Sequence, residues 1–151
     1  MSAPLKQRLT DDMKAAMKGG DKPRLGVIRL MLSAIKQIEV DERIELDDNR
    51  IIVVLDKMTK QRRESATQYE QAGRDDLLEQ EVFEIGILKD YLPEALSDAE
   101  IDAMIEDAIS TTGAASIKDM GKVMGKLKPQ MQGKADMGAV SGKIKSRLNA
   151  A

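Results

Sequence analysis

The sequence contains no cysteine and no histidine. Disulfides, cysteine nucleophiles, zinc sites built from the usual ligands and histidine acid–base catalysis are therefore excluded together. Aromatic residues are almost absent as well: Tyr69, Phe83 and Tyr91 are the whole complement. Strands lean on β-branched and aromatic side chains, whereas this chain is rich in Ala, Leu, Glu, Lys and Met, which favour helix. Long apolar runs are missing too. The longest, "IIVVL" at 51–55, falls far short of a membrane span, and the opening "MSAPLKQRL" lacks the apolar centre of a signal peptide. These absences lead us to expect an all-α protein, cytoplasmic by default, with no membrane partner.

What is present is enough for one ordinary domain or two small ones: 151 residues, 42% hydrophobic and 33% charged. The net charge of -2 hides an uneven distribution. Residues 94–116 carry acids and no base, while residues 117–151 are strongly basic, with Asp119 and Asp136 their only acids. Such a segment can attract a polyanion, or it can pair with its acidic neighbour within one domain.

Apolar spacing predicts seven helices. Leu5, Leu9, Met13 and Met17 form a first narrow stripe that Gly19–Gly20 ends. Asp21 caps a second helix, with Pro23 in its first turn and a broad face containing Leu25, Ile28, Leu32 and Ile35. Asp47 or Asp48 caps a third, running from Ile51 through Val54, Leu55, Met58, Ala66 and Tyr69 to Gly73. Asp75 is expected to cap a fourth, with Leu78, Val82, Ile85, Leu88 and Leu92 facing inward, until Pro93 stops it. We place a domain boundary there, giving a four-helix domain at 1–93 and a three-helix domain at 94–151. The second begins with a capping box, "SDAE" at 97–100. "SIKD" at 116–119 leads into a sixth helix, expected to end at Pro129, and the seventh starts near Asp136 and carries Met137, Val140, Ile144 and Leu148.

The basic segment "KDMGKVMGKLKPQMQGK" at 118–134 is the densest candidate for function. As a phosphate-binding loop it fails: only three residues separate Gly121 from Gly125, Leu127 follows Lys126, and no strand precedes it. As a helix it sorts by face, with Lys118, Lys122 and Lys126 four apart beside an apolar stripe of Met120, Val123, Met124 and Leu127. A glycine inside a helix costs about 1 kcal/mol relative to alanine, so Gly121 and Gly125 suggest close approach of another backbone, either a neighbouring helix or a phosphodiester. The final helix repeats the arrangement with Gly138, Gly142, Lys143 and Arg147, and Lys128 and Lys134 lie at or in the connection. Two such helices can track a sugar–phosphate backbone; the plainer alternative is a pair of solvated surface helices. Residues 94–151 contain no aromatic on which a single strand could stack, so an RNA partner would be a folded one, read by shape and backbone.

A second charged stretch covers 56–81. Asp56 with Lys60 and Glu70 with Arg74 have helix-supporting spacing. Lys57, Arg62 and Arg63 have no partner at that spacing and form a second anion-binding candidate, against the alternative of a solvated face. No catalytic residue emerges: Ser97 and Ser116 are explained as caps and no group activates them. The acid pairs Asp47–Asp48 and Asp75–Asp76 do not converge as metal ligands, and helix N-terminal charge accounts for both. No metal and no cofactor is expected.

Three segments carry a resemblance: "RLMLSAIKQIEVDER" at 29–43, "KQRRESATQYEQAGRDDLLEQEVFEIGILKDYLPEALSDAEI" at 60–101 and "MGKVMGKLKPQMQGKADMGAVSGKIKSRL" at 120–148. Over essentially its whole length the chain resembles the YqeY proteins of the GatB/YqeY family. The last segment, with Gly133-Lys134-Ala135-Asp136, is similar to the C-terminal tail domain of the B subunit of the tRNA-dependent amidotransferase. That resemblance implies a tRNA-related role, with Lys122, Lys126, Lys128, Lys134 and Lys143 as contacts, and a family label of carbon–nitrogen ligase with glutamine as amido-N-donor. Nothing in the chain corresponds to the B subunit's catalytic domain or to the separate amidase, so the resemblance does not imply a stand-alone enzyme. It implies a tRNA-binding or aminoacyl-tRNA-handling accessory, or else a subunit contacting an aminoacyl-tRNA synthetase or amidotransferase through protein surfaces. A structural helical adaptor is the third alternative.

Overall fold

The computed structural model describes residues 3–149, and within them the expectation of an all-α protein holds. Seven α-helices and one short 3-10 turn follow in order: α1 (Pro4–Gly19), α2 (Lys22–Glu42), α3 (Asp48–Gln71), α4 (Asp75–Lys89), α5 (Asp98–Thr112), the turn Ile117–Asp119, α6 (Met120–Met131) and α7 (Met137–Asn149). No strand occurs among the described residues. None of their helices is long and apolar enough to cross a membrane. The chain divides into two compact units, one ending at Leu92 and one beginning at Pro93.

The helix boundaries follow local chemistry. Gly20 takes the left-handed conformation (φ 70°) that ends α1, and Gly73 (φ 71°) does the same after α3. The Asp21 carboxylate accepts from the Arg24 amide and the Asp47 carboxylate from the Arg50 amide, so each caps its helix. Asp75, expected as a cap, instead sits in the first turn of α4, with Arg74 at the cap position making no side-chain bond to the backbone. There Asp75 and Asp76 meet the positive end of the helix dipole. Arg74 pairs with Asp76 at 3.3 Å rather than with Glu70.

The first unit closes over Leu9, Val27, Ile28, Met31, Ile35, Leu46, Ile51, Val54, Leu55, Met58, Ile87, Leu88 and Tyr91. This core ends at Met58 on α3 and begins again only at Ile87 on α4. The intervening parts of the two helices pack along each other as a hairpin, tied by an Arg62–Glu84 bridge of 3.2 Å. Glu81 lies on the same seam, one carboxylate oxygen shut away from water with no hydrogen-bond partner. That burial pushes its pKa up, Glu84 adds to the rise and Arg62 opposes it. Val82, expected to face inward, is exposed; α4 is apolar on nearly every side, so spacing alone does not identify its buried face.

Polar contacts lock the remaining elements. Lys6 on α1 donates to Glu39 on α2 at 2.7 Å, and the other Glu39 oxygen accepts from the Leu46 amide at 2.9 Å. Those two bonds hold the Glu39 carboxyl below its usual range. Tyr91, just beyond α4, is 3% exposed and donates its hydroxyl to Asp12 on α1, while the Arg8 guanidinium stacks over its ring at 4.5 Å. Burial first, and the Asp12 carboxylate second, push the Tyr91 hydroxyl up to about 12.

The neutral Tyr91 is therefore the form that the fold favours. Its contribution is complete below the ordinary tyrosine value near 10 and is lost as pH rises through about 12. Tyr91→Phe is expected to lower unfolding stability at pH 8 by about 1–2 kcal/mol. In denaturant melts, the gap between the two proteins should close between pH 10 and 12; a gap independent of pH would show that the hydroxyl bond is not its source.

Candidate nucleic-acid interface

The second unit is organised on α6. Val123, Leu127 and Met131 are fully buried along one stripe, and Ile101, Ile105 and Ala108 of α5 and Val140, Ile144 and Leu148 of α7 close over it. Both α5 and α7 pack on α6, and they meet each other through long charged side chains rather than close backbones. Ser97 and Glu100 form the expected capping box at the start of α5. Asp119 reaches back to the amides of Ala115 and Ser116 at 2.9 and 3.3 Å, making a 3-10 turn before α6 begins. Those two bonds hold its carboxyl below the usual range, with Lys122 adding to the effect. The connection from α6 to α7 turns at Gly133 (φ 79°), and the Lys134 carbonyl accepts from the Leu96 amide at 2.8 Å. Asp136 then accepts from the Gly138 amide at 3.0 Å and starts α7. The sequence Gly133-Lys134-Ala135-Asp136 is thus a left-handed turn, a backbone stitch and a cap.

Pro129, expected to end α6, lies inside it. Its missing amide is the one that would have reached the Gly125 carbonyl, a single bond in the last turn, so the helix continues to Met131 at limited cost.

The seven basic candidates of this unit divide into two groups. Lys143 and Arg147 lie on the flank of α7 that faces α5. Lys143 pairs with Asp102 at 3.0 Å and Asp98 at 3.9 Å, and Arg147 makes a two-bond fork with Glu106. The fork holds the Glu106 carboxyl down and the Arg147 guanidinium up. These pairs span an open groove lined by Ile105 on one side and by Ala139, Gly142 and Ser146 on the other. Asp98, Asp102, Glu106 and Arg147 are exposed and Lys143 is half-buried, and such pairs contribute little to stability individually. Lys118, Lys122 and Lys128 are exposed, while Lys126 and Lys134 are half-buried. Their only ion-pair partner within 4 Å among the described residues is Asp119, 3.9 Å from Lys122. Lys145, which sequence reasoning passed over, is exposed on α7 and equally unpaired among the described residues. Its position off the four-residue stripe hid it, although it is exposed beside the buried Ile144–Leu148 face.

The glycines correct a second expectation. A Cβ built at Gly121, Gly125 or Gly142 meets nothing within 4 Å, and at Gly138 only the side chain of Asp136, at 3.3 Å. Among the described residues, no neighbouring helix comes within 4 Å of a methyl group at these positions. On α6 the exposed positions are Gly121, Lys122, Gly125, Lys128, Pro129 and Gln130, so the two glycines leave bare backbone flanked by lysines.

The second candidate cluster does not converge. Arg62 is turned into the hairpin, bonded to Glu84 and to the Met58 carbonyl at 3.3 Å, whereas Lys57 and Arg63 are exposed on other faces of α3.

A family model described as "Yqey-like protein" matches residues 6–148. Relatives named "Altered inheritance of mitochondria protein 41, mitochondrial" are similar to the chain. The one from Lachancea thermotolerans is 36% identical over 68% of this chain and 56% of its own length. The one from Eremothecium gossypii is 35% identical over 70% and 62%, and the one from Pyrenophora tritici-repentis 28% over 85% and 71%. The chain therefore spans less than two thirds of the first two. Their names overturn the expected cytoplasmic location. That no helix of the described residues is long and apolar enough to cross a membrane does not distinguish cytoplasm from an organelle.

Gly125→Ala tests whether the bare strip has any role in folding. With open space around the new methyl and helical backbone, the variant is expected to be about 0.5–1 kcal/mol more stable in chemical denaturation. A loss of stability would mean that something in the folded chain needs the glycine.

Proposed function

Because the chain belongs to the YqeY-like family, we propose that it is a non-catalytic accessory that grips a folded RNA, tRNA or aminoacyl-tRNA, through the outward face of α6. The observation that carries this reading is the combination on one helix of open glycines and lysines. Gly121 and Gly125 weaken α6 relative to alanine, and among the described residues nothing lies within 4 Å of a side chain built at them. A rigid, negatively charged backbone lying along the helix gains close approach at the glycines and charge neutralisation from Lys118, Lys122, Lys126 and Lys128. Lys134 extends the same basic run past Gly133. The resemblance that the sequence of residues 120–148 carries to the tail of the tRNA-dependent amidotransferase B subunit is the reason to test tRNA first. In this reading the three-helix unit is tail-like, and Lys143 and Arg147, held by α5, contribute less than the α6 lysines.

One observation favours a second reading. The α5 acids already neutralise Lys143 and Arg147, as in a domain whose charges serve its own packing. The chain would then support a carbon–nitrogen ligase complex through protein contacts, without holding RNA.

Salt dependence separates the two, since each phosphate neutralised adds about 0.7–0.9 to the log–log slope of affinity against salt. Labelled bulk tRNA and an unstructured RNA of the same length are titrated at two salt concentrations with the intact protein and with a Lys122→Ala, Lys126→Ala, Lys134→Ala variant. The RNA reading expects preference for tRNA and a slope reduced by roughly two in the variant. Equal, feeble binding of both RNAs at low salt would overturn it in favour of the protein-contact reading.

A further inference from the structure

The α3–α4 hairpin beyond the core of the first unit is a departure from globular economy: residues 60–86 contain no buried side chain. Two short helices packed only on each other are marginal in water. The outer face of α4 nonetheless exposes Val82 at 56% and Phe83 at 40% side by side. At 100° per residue, Asp75, Glu79, Val82, Phe83 and Gly86 share this face, and Lys89 borders it at the C-terminal end. The stripe thus runs from acid, through an apolar middle, to a base. Asp75 and Lys89 have no ion-pair partner among the described residues, and they lie equally far along the chain on either side of Val82. A Cβ built at Gly86 meets nothing within 4 Å, so a second helix can come close there.

We propose that the outer face of α4 is a self-association surface, on which a second copy of this chain lays its own α4 antiparallel about a two-fold axis at Val82 and Phe83. Charge order selects this occupant. An antiparallel copy brings each Asp75 to the partner's Lys89, stacks Val82 and Phe83 against their counterparts, and sets Glu79 beside the partner's Gly86, where there is room. A parallel copy brings acid to acid and base to base. The antiparallel arrangement also opposes the two helix dipoles. Being isologous, it closes at two copies. One helix face on each side covers less than the roughly 1,200 Å² of a stable interface, so the dimer is weak and concentration-dependent. The surface lies wholly in the first unit and is independent of the RNA reading.

Sedimentation velocity across a range of concentrations tests it, with circular dichroism confirming that each variant is folded. The wild-type chain is expected to dimerise, and Phe83→Glu to remain a monomer. Asp75→Lys and Lys89→Glu, each alone, should weaken self-association by about tenfold. Mixed together, those two variants should associate with each other, because each supplies the charge that the other lacks. The proposal is overturned by a wild type that stays monomeric throughout, by a dimer indifferent to Phe83→Glu, or by reversed-charge variants that fail to pair when mixed.

Discussion

Burial of the Val123–Leu127–Met131 stripe is the constraint on which the second unit depends. With no aromatic side chain available, a core made of Ile, Val, Leu, Met and Ala has to be assembled from many modest contributions. A central helix touched on two sides by its neighbours is the economical way to collect them. Once α6 is fixed by that stripe, its period fixes everything else on its surface: positions four apart must share a face, so the lysines and glycines are forced outward together. The same geometry seats α5 and α7 separately on α6, and only their long charged side chains reach across to each other.

The gap between α5 and α7 is where the charge asymmetry of the sequence is resolved. Acids of α5 face Lys143 and Arg147 across a groove, while the acids available to α6 are reduced to Asp119, already bonded to two backbone amides. The opposing charges of the two segments therefore cancel on one flank and persist on another. Pairing with the acidic neighbour, one of the two alternatives that the composition left open, is seen on α7, while the α6 lysines keep their charge without such partners among the described residues. Exposed pairs of this kind are screened by salt within a Debye length of about 8 Å, so the α5–α7 contacts are a matter of local orientation more than of fold stability.

The all-helical fold was readable because nothing in the sequence competes with helix: caps at Asp21, Asp47 and Ser97 and stops at Gly20 and Gly73 agree with the apolar period. Errors arose where two rules conflict. Pro129 signals an end, but so near the end of α6 it removes only one bond, and packing of Met131 outweighs that loss. In α4 almost every position but the acids is apolar, so the period is too weak to say that Val82 points outward. The charged candidates were harder still. Spacing along one helix finds stripes, but it cannot see Glu84 reaching Arg62 from the next helix, or Glu106 reaching Arg147 across 41 residues of sequence. Lys145 was missed for the opposite reason, as a base outside any stripe.

The glycines show how such a sequence separates folding from use. A glycine in the middle of a helix weakens it in two ways, through backbone freedom in the unfolded chain and through the lack of a side chain to shield the helix. A neighbouring helix needing the space would have explained Gly121 and Gly125 within the fold, and the open surroundings remove that explanation. Gly86 on α4 is the same case in the other unit, likewise with nothing near it. At all three positions alanine would fit without contact, and the folded chain by itself gives no reason against it. Within the described residues, no packing contact offsets that cost. On α6 the open glycines stand beside lysines, and on α4 beside Val82 and Phe83, so both helices carry their least helix-favouring residues on solvent-facing surfaces.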